Sequence, residues 1–207
     1  MGQAEIERWE QRYKTETYVF GKTANAFLQR AASHLPAASR VLAVADGEGR
    51  NGVWLAAQGH QVCAVEASPS AQNKARRLAE EQGVQLELIE ADLLTWEWPR
   101  EAFDAVVAIF IQFATPPQRA YLFAAMQAAL RPGGYLLLQG YGLEQLQHRT
   151  GGPSQPEQLY TSELLRAAFA DFELIELREY EAEIDEGPGH AGRSALIDLV
   201  ARRPLSR

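Results

Sequence analysis

Short apolar runs, separated by glycine-bearing turns and amphipathic stretches, recur along this chain and predict alternating strands and helices. Near the start, Ile6, Trp9 and Tyr13 recur at helical spacing. The loop at 17–22 follows, then a second helix with Thr23 as cap and Ala24, Phe27, Leu28 and Ala31 on one face. Residues 41–45 and 61–65 are uniformly apolar, as in strands buried on both faces. Between them 51–58 reads as a helix, with Gly59 as its C-terminal cap. Ser68-Pro69-Ser70 starts the next helix, which buries Ala71, Ala75, Leu78 and Ala79 and ends at Gly83. Its Lys74, Arg76, Arg77, Glu80 and Glu81 read as a solvated face.

Strands are expected at 84–89, 103–109 and 135–139. A helix from Thr115-Pro116-Pro117 buries Leu122, Ala125, Met126, Ala129 and Leu130, and Pro132-Gly133-Gly134 breaks it. Residues 140–160 read as a long polar loop, which in a compact domain is often functional. Thr161 then caps a helix that buries Leu164, Leu165, Ala168 and Phe169. The chain closes with strands at 172–184 and 194–201, the first bulged at Leu174-Ile175 where alternation breaks.

The stretch 40–66 limits function most. A strand, a loop with Gly47 and Gly49, a helix and a second strand ending on Glu66 form the first half of a doubly wound nucleotide-binding sheet. Gly47-Glu48-Gly49-Arg50-Asn51-Gly52 also satisfies G-x-G-x-x-G, which would suit a nicotinamide or flavin dinucleotide. The loop charges argue against that reading. A dinucleotide brings a pyrophosphate to a loop where Asp46 and Glu48 flank Gly47. Two like charges about 4 Å apart at an effective dielectric near 20 repel by about 4 kcal/mol. S-adenosylmethionine instead brings a sulfonium and an ammonium. Both ligands carry a ribose, so Glu66 suits either. The alternative is that Asp46 and Glu48 simply point to water.

Composition narrows the class further. The chain of 207 residues suits a single domain, with 46% apolar and 23% charged residues. A formal charge of −7 makes a nucleic-acid backbone an unexpected partner. The single Cys63, inside an apolar run, reads as core filler in a reducing cytoplasm. No apolar stretch reaches membrane-spanning length, and neither a membrane partner nor a metal is expected.

VLAVADGEGRNGVWLAAQGHQVCAVE resembles the first two motifs of the class I S-adenosylmethionine-dependent methyltransferases. Its GEGRNG form is similar to the small branch that includes the tellurite-resistance methyltransferases. FDAVV followed by LRPGGYLLL, and the EG-x-x-H-x-G turn at Glu186, Gly187, His190 and Gly192, extend the likeness to nearly the whole chain. The resemblance implies a Rossmann-like three-layer sandwich, with a seven-stranded, mostly parallel sheet whose last strand is antiparallel. It departs from the pattern where the usual acid and first glycine fall on Ala43 and Ala45, and Asp46 is inferred to take the ammonium-binding role.

On the resemblance, the cofactor site comprises Asp46, Gly47, Glu48, Gly49 and Asn51, then Glu66, Ala67 and Ser68, then Ala91, Asp92, Leu93 and Phe110. Asp92 would accept from the adenine amino group. The helix and YVFGK loop of residues 1–35 are similar to that branch's lid, closing Tyr13, Phe20 and Gly21 over the methionine end; plain packing is the alternative. For the acceptor, the turn between the last two strands should lie on the ligand edge. It would bring His190, able to titrate near neutrality, and Arg193 to the rim beside Gln112 and Tyr13. In related members a His often stands at the Gln112 position. The expected activity is methyl transfer to a small-molecule acceptor such as a thiol, a small acid or a metalloid oxyanion. A nicotinamide-dependent oxidoreductase and a non-catalytic S-adenosylmethionine-binding module are the alternatives.

Overall fold

The computed structural model of the chain describes residues 2–148, 150–187 and 190–205. Its centre is a seven-stranded sheet in the order β3-β2-β1-β4-β5-β7-β6. The strands are β1 (Arg40–Val44), β2 (Gln61–Glu66), β3 (Glu87–Glu90), β4 (Phe103–Ile109), β5 (Leu130–Tyr141), β6 (Glu173–Asp185) and β7 (Ala191–Arg202). β1 to β5 pair in parallel, while β7 is antiparallel to both β5 and β6. β6 therefore runs in the direction of β5, as the sequence predicts. The expected bulge is present, with a register shift between Leu174 and Glu176.

The helices are α1 (Gln3–Tyr13), α2 (Ala26–Ala31), α3 (Arg50–Ala57), α4 (Pro69–Gln82), α5 (Pro116–Ala129), α6 (Gln145–His148) and α7 (Ser162–Ala168). Two apolar clusters form the core. One joins Leu42, Val65, Val106 and Leu138 to Met126 and Phe169, and the other joins Val41, Ala43 and Val107 to Phe27, Leu28 and Leu55. β1 is buried by both, which is why it reads as a continuous apolar run.

Several boundaries differ from the expectation. β3 is shorter because Val84 and Leu86 pack with Val53 and Leu78 before the ladder begins. β5 is longer, since its pairing with β7 runs from Tyr135 to Tyr141. The 140–160 loop contains α6 and a short 3-10 turn at Pro156–Gln158, with Arg149 outside the described residues. Asn25, not Thr23, caps α2, its side chain accepting from Leu28 N at 2.9 Å.

Candidate active site

Every parallel strand from β1 to β4 points its C-terminal end at one edge, so their following loops converge there. They enclose a cavity of about 90 Å³. Ala45 to Glu48 come from the β1 loop, Glu66 and Ala67 from the end of β2, Ala91 and Leu93 from beyond β3, and Phe110 and Phe113 from beyond β4. α1 and its loop add Trp9, Tyr13 and Phe20, whose rings stand 5.7–6.4 Å apart, and the β6–β7 turn adds His190. Two wall residues hold left-handed backbone, Ala45 at φ 49° and Phe110 at φ 55°. Ala45 stands where the resemblance expects glycine, so its methyl group is strained where the family pattern has none.

Asp46, Glu48, Arg50 and Glu66 line the cavity, and of these Glu48 and Arg50 are paired with Lys74 and Glu186, which leaves two acids without a cationic partner among the described residues. Glu66 accepts from Gly47 N at 3.0 Å and Ser68 N at 2.9 Å, and burial raises its pKa against the pull of those backbone bonds. Asp46 holds Gly52 N with both oxygens at 3.1 Å. The residue is only partly buried, yet protein surrounds its carboxyl and burial pushes the pKa up to about 7. Gly47 has φ 59°, and a Cβ there would sit 3.0 Å from the Tyr13 hydroxyl, so the loop and α1 meet closely. Asn51 also lines the cavity, and its Oδ1 accepts from Asn25 N at 3.0 Å.

Other expected site residues are placed differently. Glu48 is not a free loop charge: it pairs with Lys74 at 2.7 Å, both side chains being nearly inaccessible, and accepts from Val19 N and Phe20 N at 3.1 Å. Lys74 is therefore not on a solvated face. It also donates to Thr17 O at 2.8 Å, so the pair straps the 15–20 loop onto α4 and the loop between β1 and α3. Gly49 caps α3 at φ 86°, and a Cβ there would lie 2.6 Å from that of Ala75. Its lack of a side chain lets α3 pack closely on Ala75 of α4. Ser68 caps α4 and donates to Glu10 at 2.6 Å, off the cavity wall. Asp92 sits between Ala91 and Leu93 and accepts from Leu94 N at 3.0 Å. Gly21 packs against the Gly187 backbone, outside the cavity.

The acceptor-side expectations change most. Gln112 donates to Tyr141 O and Gln158 O and accepts from Tyr141 N at 2.6 Å, so its amide is spent on backbone and offers no base. His190 does reach the site, 4.4 Å from both Phe20 and Phe110 by ring centroids. Burial first, then the Arg50 and Arg12 charges, depress its pKa to about 3. It is a neutral imidazole at physiological pH and does not titrate near neutrality. Arg193 is exposed and pairs with Glu181 at 2.5 Å on the hairpin, because strand alternation turns it away from the rim. Pro188 and Gly189 of that turn lie outside the described residues.

The structure adds residues the sequence reading passed over. Arg50 pairs with Glu186 at 2.8 Å in a largely buried bridge, and Asn25 Nδ2 donates to Glu186 at 2.9 Å and Gln139 at 2.7 Å. This ties α2 and α3 to the β6–β7 turn. Glu186 stood in the recognised turn motif, but nothing in spacing pairs it with Arg50. Glu10 fastens α1 to the start of α4 through Ser68 Oγ and Ser70 Oγ at 2.6 and 2.7 Å. Beyond Trp9, Phe110, Phe113 and His190 lies a second chamber of about 580 Å³ that shares those four residues. Its remaining lining comes from Glu5, Arg8 and Arg12 of α1, from Gln112, Tyr141 and Gln158, and from the 151–155 loop.

With this geometry in view, residues 41–134 match a family model described as a methyltransferase domain. A phosphatidylethanolamine N-methyltransferase from Cereibacter sphaeroides is 30% identical over 139 residues, 64% of this chain and 66% of that one. A protein named hemagglutinin 1 from Eikenella corrodens is 26% identical over 190 residues, 89% of this chain and 61% of its own. The chain thus spans about three-fifths to two-thirds of these relatives' lengths. Among solved structures, TehB from Haemophilus influenzae superposes with TM-score 0.70 at 18% identity, covering 96% of this chain and 67% of that one. The N-methyltransferase NodS from Bradyrhizobium japonicum WM9, in complex with S-adenosylhomocysteine, gives 0.73 at 14% identity, covering 97% and 98%. At these identities the structural likeness is one of fold.

Proposed function

We propose that this chain, which carries a class I S-adenosylmethionine-dependent methyltransferase domain, transfers a methyl group from that cofactor to a small-molecule acceptor. The observation that carries the reading is the pair of acids, Asp46 and Glu66, in one cavity at the strand ends of that domain. They suit a ligand with a cationic end and a ribose: Glu66 for ribose hydroxyls, Asp46 for an ammonium. Ala67, Ala91, Leu93 and Phe113 offer apolar walls to a base, with Asp92 beside them as acceptor. The same acids oppose a pyrophosphate, and this disfavours a nicotinamide cofactor even with Glu48 neutralised by Lys74.

When bound, the cofactor supplies a methyl group on a sulfonium, and the acceptor's lone pair forms the new bond as the carbon–sulfur bond breaks with its electrons left on sulfur. The protein's part is to position and to exclude water. Alignment of reacting atoms within about 3–3.5 Å can supply roughly 7–11 kcal/mol without a base. Phe110 and His190 stand in the wall between the two chambers, where an acceptor in the larger one would face the smaller. Neutral His190 packs there as an aromatic with a polar edge.

Small-molecule sites commonly enclose roughly 300–1,000 Å³, and the cavity of about 90 Å³ is below that range. Trp9, Tyr13 and Phe20 line it from α1 and its loop, which in this reading act as a lid that must lift to load the cofactor. Its fastenings are Glu10 on Ser68 and Ser70, and the Glu48–Lys74 pair. Incubation with S-adenosylmethionine and thiols, small acids, tellurite or selenite, with assay of S-adenosylhomocysteine, tests the reading. Acceptor-dependent product supports it. A protein that binds the cofactor but turns over nothing across a wide acceptor panel would be a binding module.

A further inference from the structure

We propose that the larger chamber receives a small anion with an aromatic or other apolar body, its charge held by Arg12 and its polar group hydrogen-bonded by Tyr141 and His190. The proposal rests on the methyltransferase reading, because it names the acceptor class of that site. The chamber of about 580 Å³ has apolar walls in Trp9, Phe110, Phe113 and Tyr141. Its charged lining residues are Glu5, Arg8 and Arg12, all on α1. Two of these cancel. Arg8 donates to Glu5 through Nε at 3.0 Å and Nη2 at 2.5 Å, and Trp9 Nε1 also donates to Glu5 at 3.0 Å.

Arg12 differs from both, having no acidic partner among the described residues. Its guanidinium lies 5.0 Å from the ring centroids of both Trp9 and Phe20. Stacking of this kind orients the plane and leaves the N–H edges free for a carboxylate or similar anion. Arg12 is an exposed residue of the chamber lining and, in a chain of net charge −7, a cation without an acidic partner among the described residues. No carboxylate other than the already paired Glu5 lines this chamber among the described residues, so an ammonium-bearing ligand would meet Arg12 with nothing to offset it.

Tyr141 Oη and His190 Nδ1 are buried and without a hydrogen-bond partner among the described residues. Buried polar atoms ordinarily have partners, and an orphan needs an explanation. Both residues line the chamber, with ring centroids 5.7 Å apart at 88°. After burial, the Arg50 and Arg12 charges act on His190; on Tyr141 burial and Glu186 come first, then Arg50 and Arg12. The Arg12 field therefore reaches both orphan atoms. A neutral hydroxyl and a neutral imidazole, beside a cation and among aromatic walls, are complementary to a ring carrying an anionic group.

The test uses benzoate, its neutral counterpart benzamide, and benzylammonium as probes, titrated calorimetrically into protein saturated with S-adenosylhomocysteine. Benzoate is expected to bind at least about tenfold more tightly than either. Arg12→Gln is expected to remove that preference, and Arg12→Lys to keep most of it, each variant being titrated at an S-adenosylhomocysteine concentration that saturates it. Benzamide or benzylammonium binding as tightly as benzoate overturns the proposal, as does an Arg12→Gln variant that retains the preference. Equal loss in Arg12→Lys and Arg12→Gln overturns the role given to charge. Failure of wild-type protein to bind S-adenosylhomocysteine at all sinks the methyltransferase reading itself, a separate outcome from these.

Discussion

Asp46 makes cofactor affinity pH-dependent in a direction that can be worked out in advance. Burial is the main cause of its raised pKa, with the nearby Glu66 charge adding and the Gly52 N–H bonds opposing, and the result is about 7 against an ordinary 3.8. An ammonium requires the carboxylate form. At about pH 6, one unit below that pKa, roughly nine in ten molecules carry the proton, and expelling it costs about 1.4 kcal/mol. S-adenosylhomocysteine should therefore bind about tenfold more weakly at about pH 6 than at about pH 8, with proton release at the lower pH. Stability runs the other way. The folded chain keeps the Asp46 proton where the unfolded chain has lost it, so this contribution is fully present below pH 3.8 and disappears as pH rises through about 7. Calorimetry in two buffers of different ionisation heat counts the proton directly, and Asp46→Asn should flatten the affinity profile. A wild-type affinity equal at both pH values, or the same slope in Asp46→Asn, would refute the placement of this acid against a cationic ligand.

Other outcomes follow from the packing. Gly49→Val should lower thermal stability by about 1–3 kcal/mol, the scale of overpacking, because the added carbon meets Ala75; a variant with native stability that has lost only cofactor binding would return this glycine to the ligand. Ala45→Gly should raise stability by up to about 1 kcal/mol, relief of left-handed strain being partly offset by glycine's chain entropy, as read from the denaturant midpoint. Glu48→Gln should cost about 3–5 kcal/mol by stranding Lys74 in a buried site, whereas Glu48→Gln with Lys74→Met should recover much of the loss; a stable single variant would mean that the pair does not strap the loop.

The bulge near Leu174 and the strand-end acid Glu66 are legible because each depends on local periodicity or a short motif, whereas the seven strands and the antiparallel last one follow from the family resemblance. What escaped depends on distant partners. Nothing near Glu48 in sequence announces Lys74, so a loop acid read as a ligand charge and a helix lysine read as solvated are in fact one buried pair. Gly49 belongs to a motif whose glycines have several reasons, and only the Ala75 contact shows which applies. His190 and Arg193 are three apart in a turn, yet one enters an aromatic cluster and the other follows β7 alternation outward to Glu181. Turn spacing alone cannot separate those fates. The lid residues Tyr13 and Phe20 follow from the resemblance and Trp9 from helical spacing, whereas nothing in the sequence pattern singles out Arg12, whose role depends on its stacking against Trp9 and Phe20.

The central claim is the identity of the ligand between Asp46 and Glu66, and calorimetric titration of S-adenosylhomocysteine and of NADH into the same protein tests it most directly. The account predicts that S-adenosylhomocysteine binds and NADH does not, and that Glu66→Ala weakens binding by about 1.5–3 kcal/mol, as for a hydrogen bond to a charged group. NADH binding more tightly than S-adenosylhomocysteine, or a Glu66→Ala variant with unchanged affinity, would contradict it.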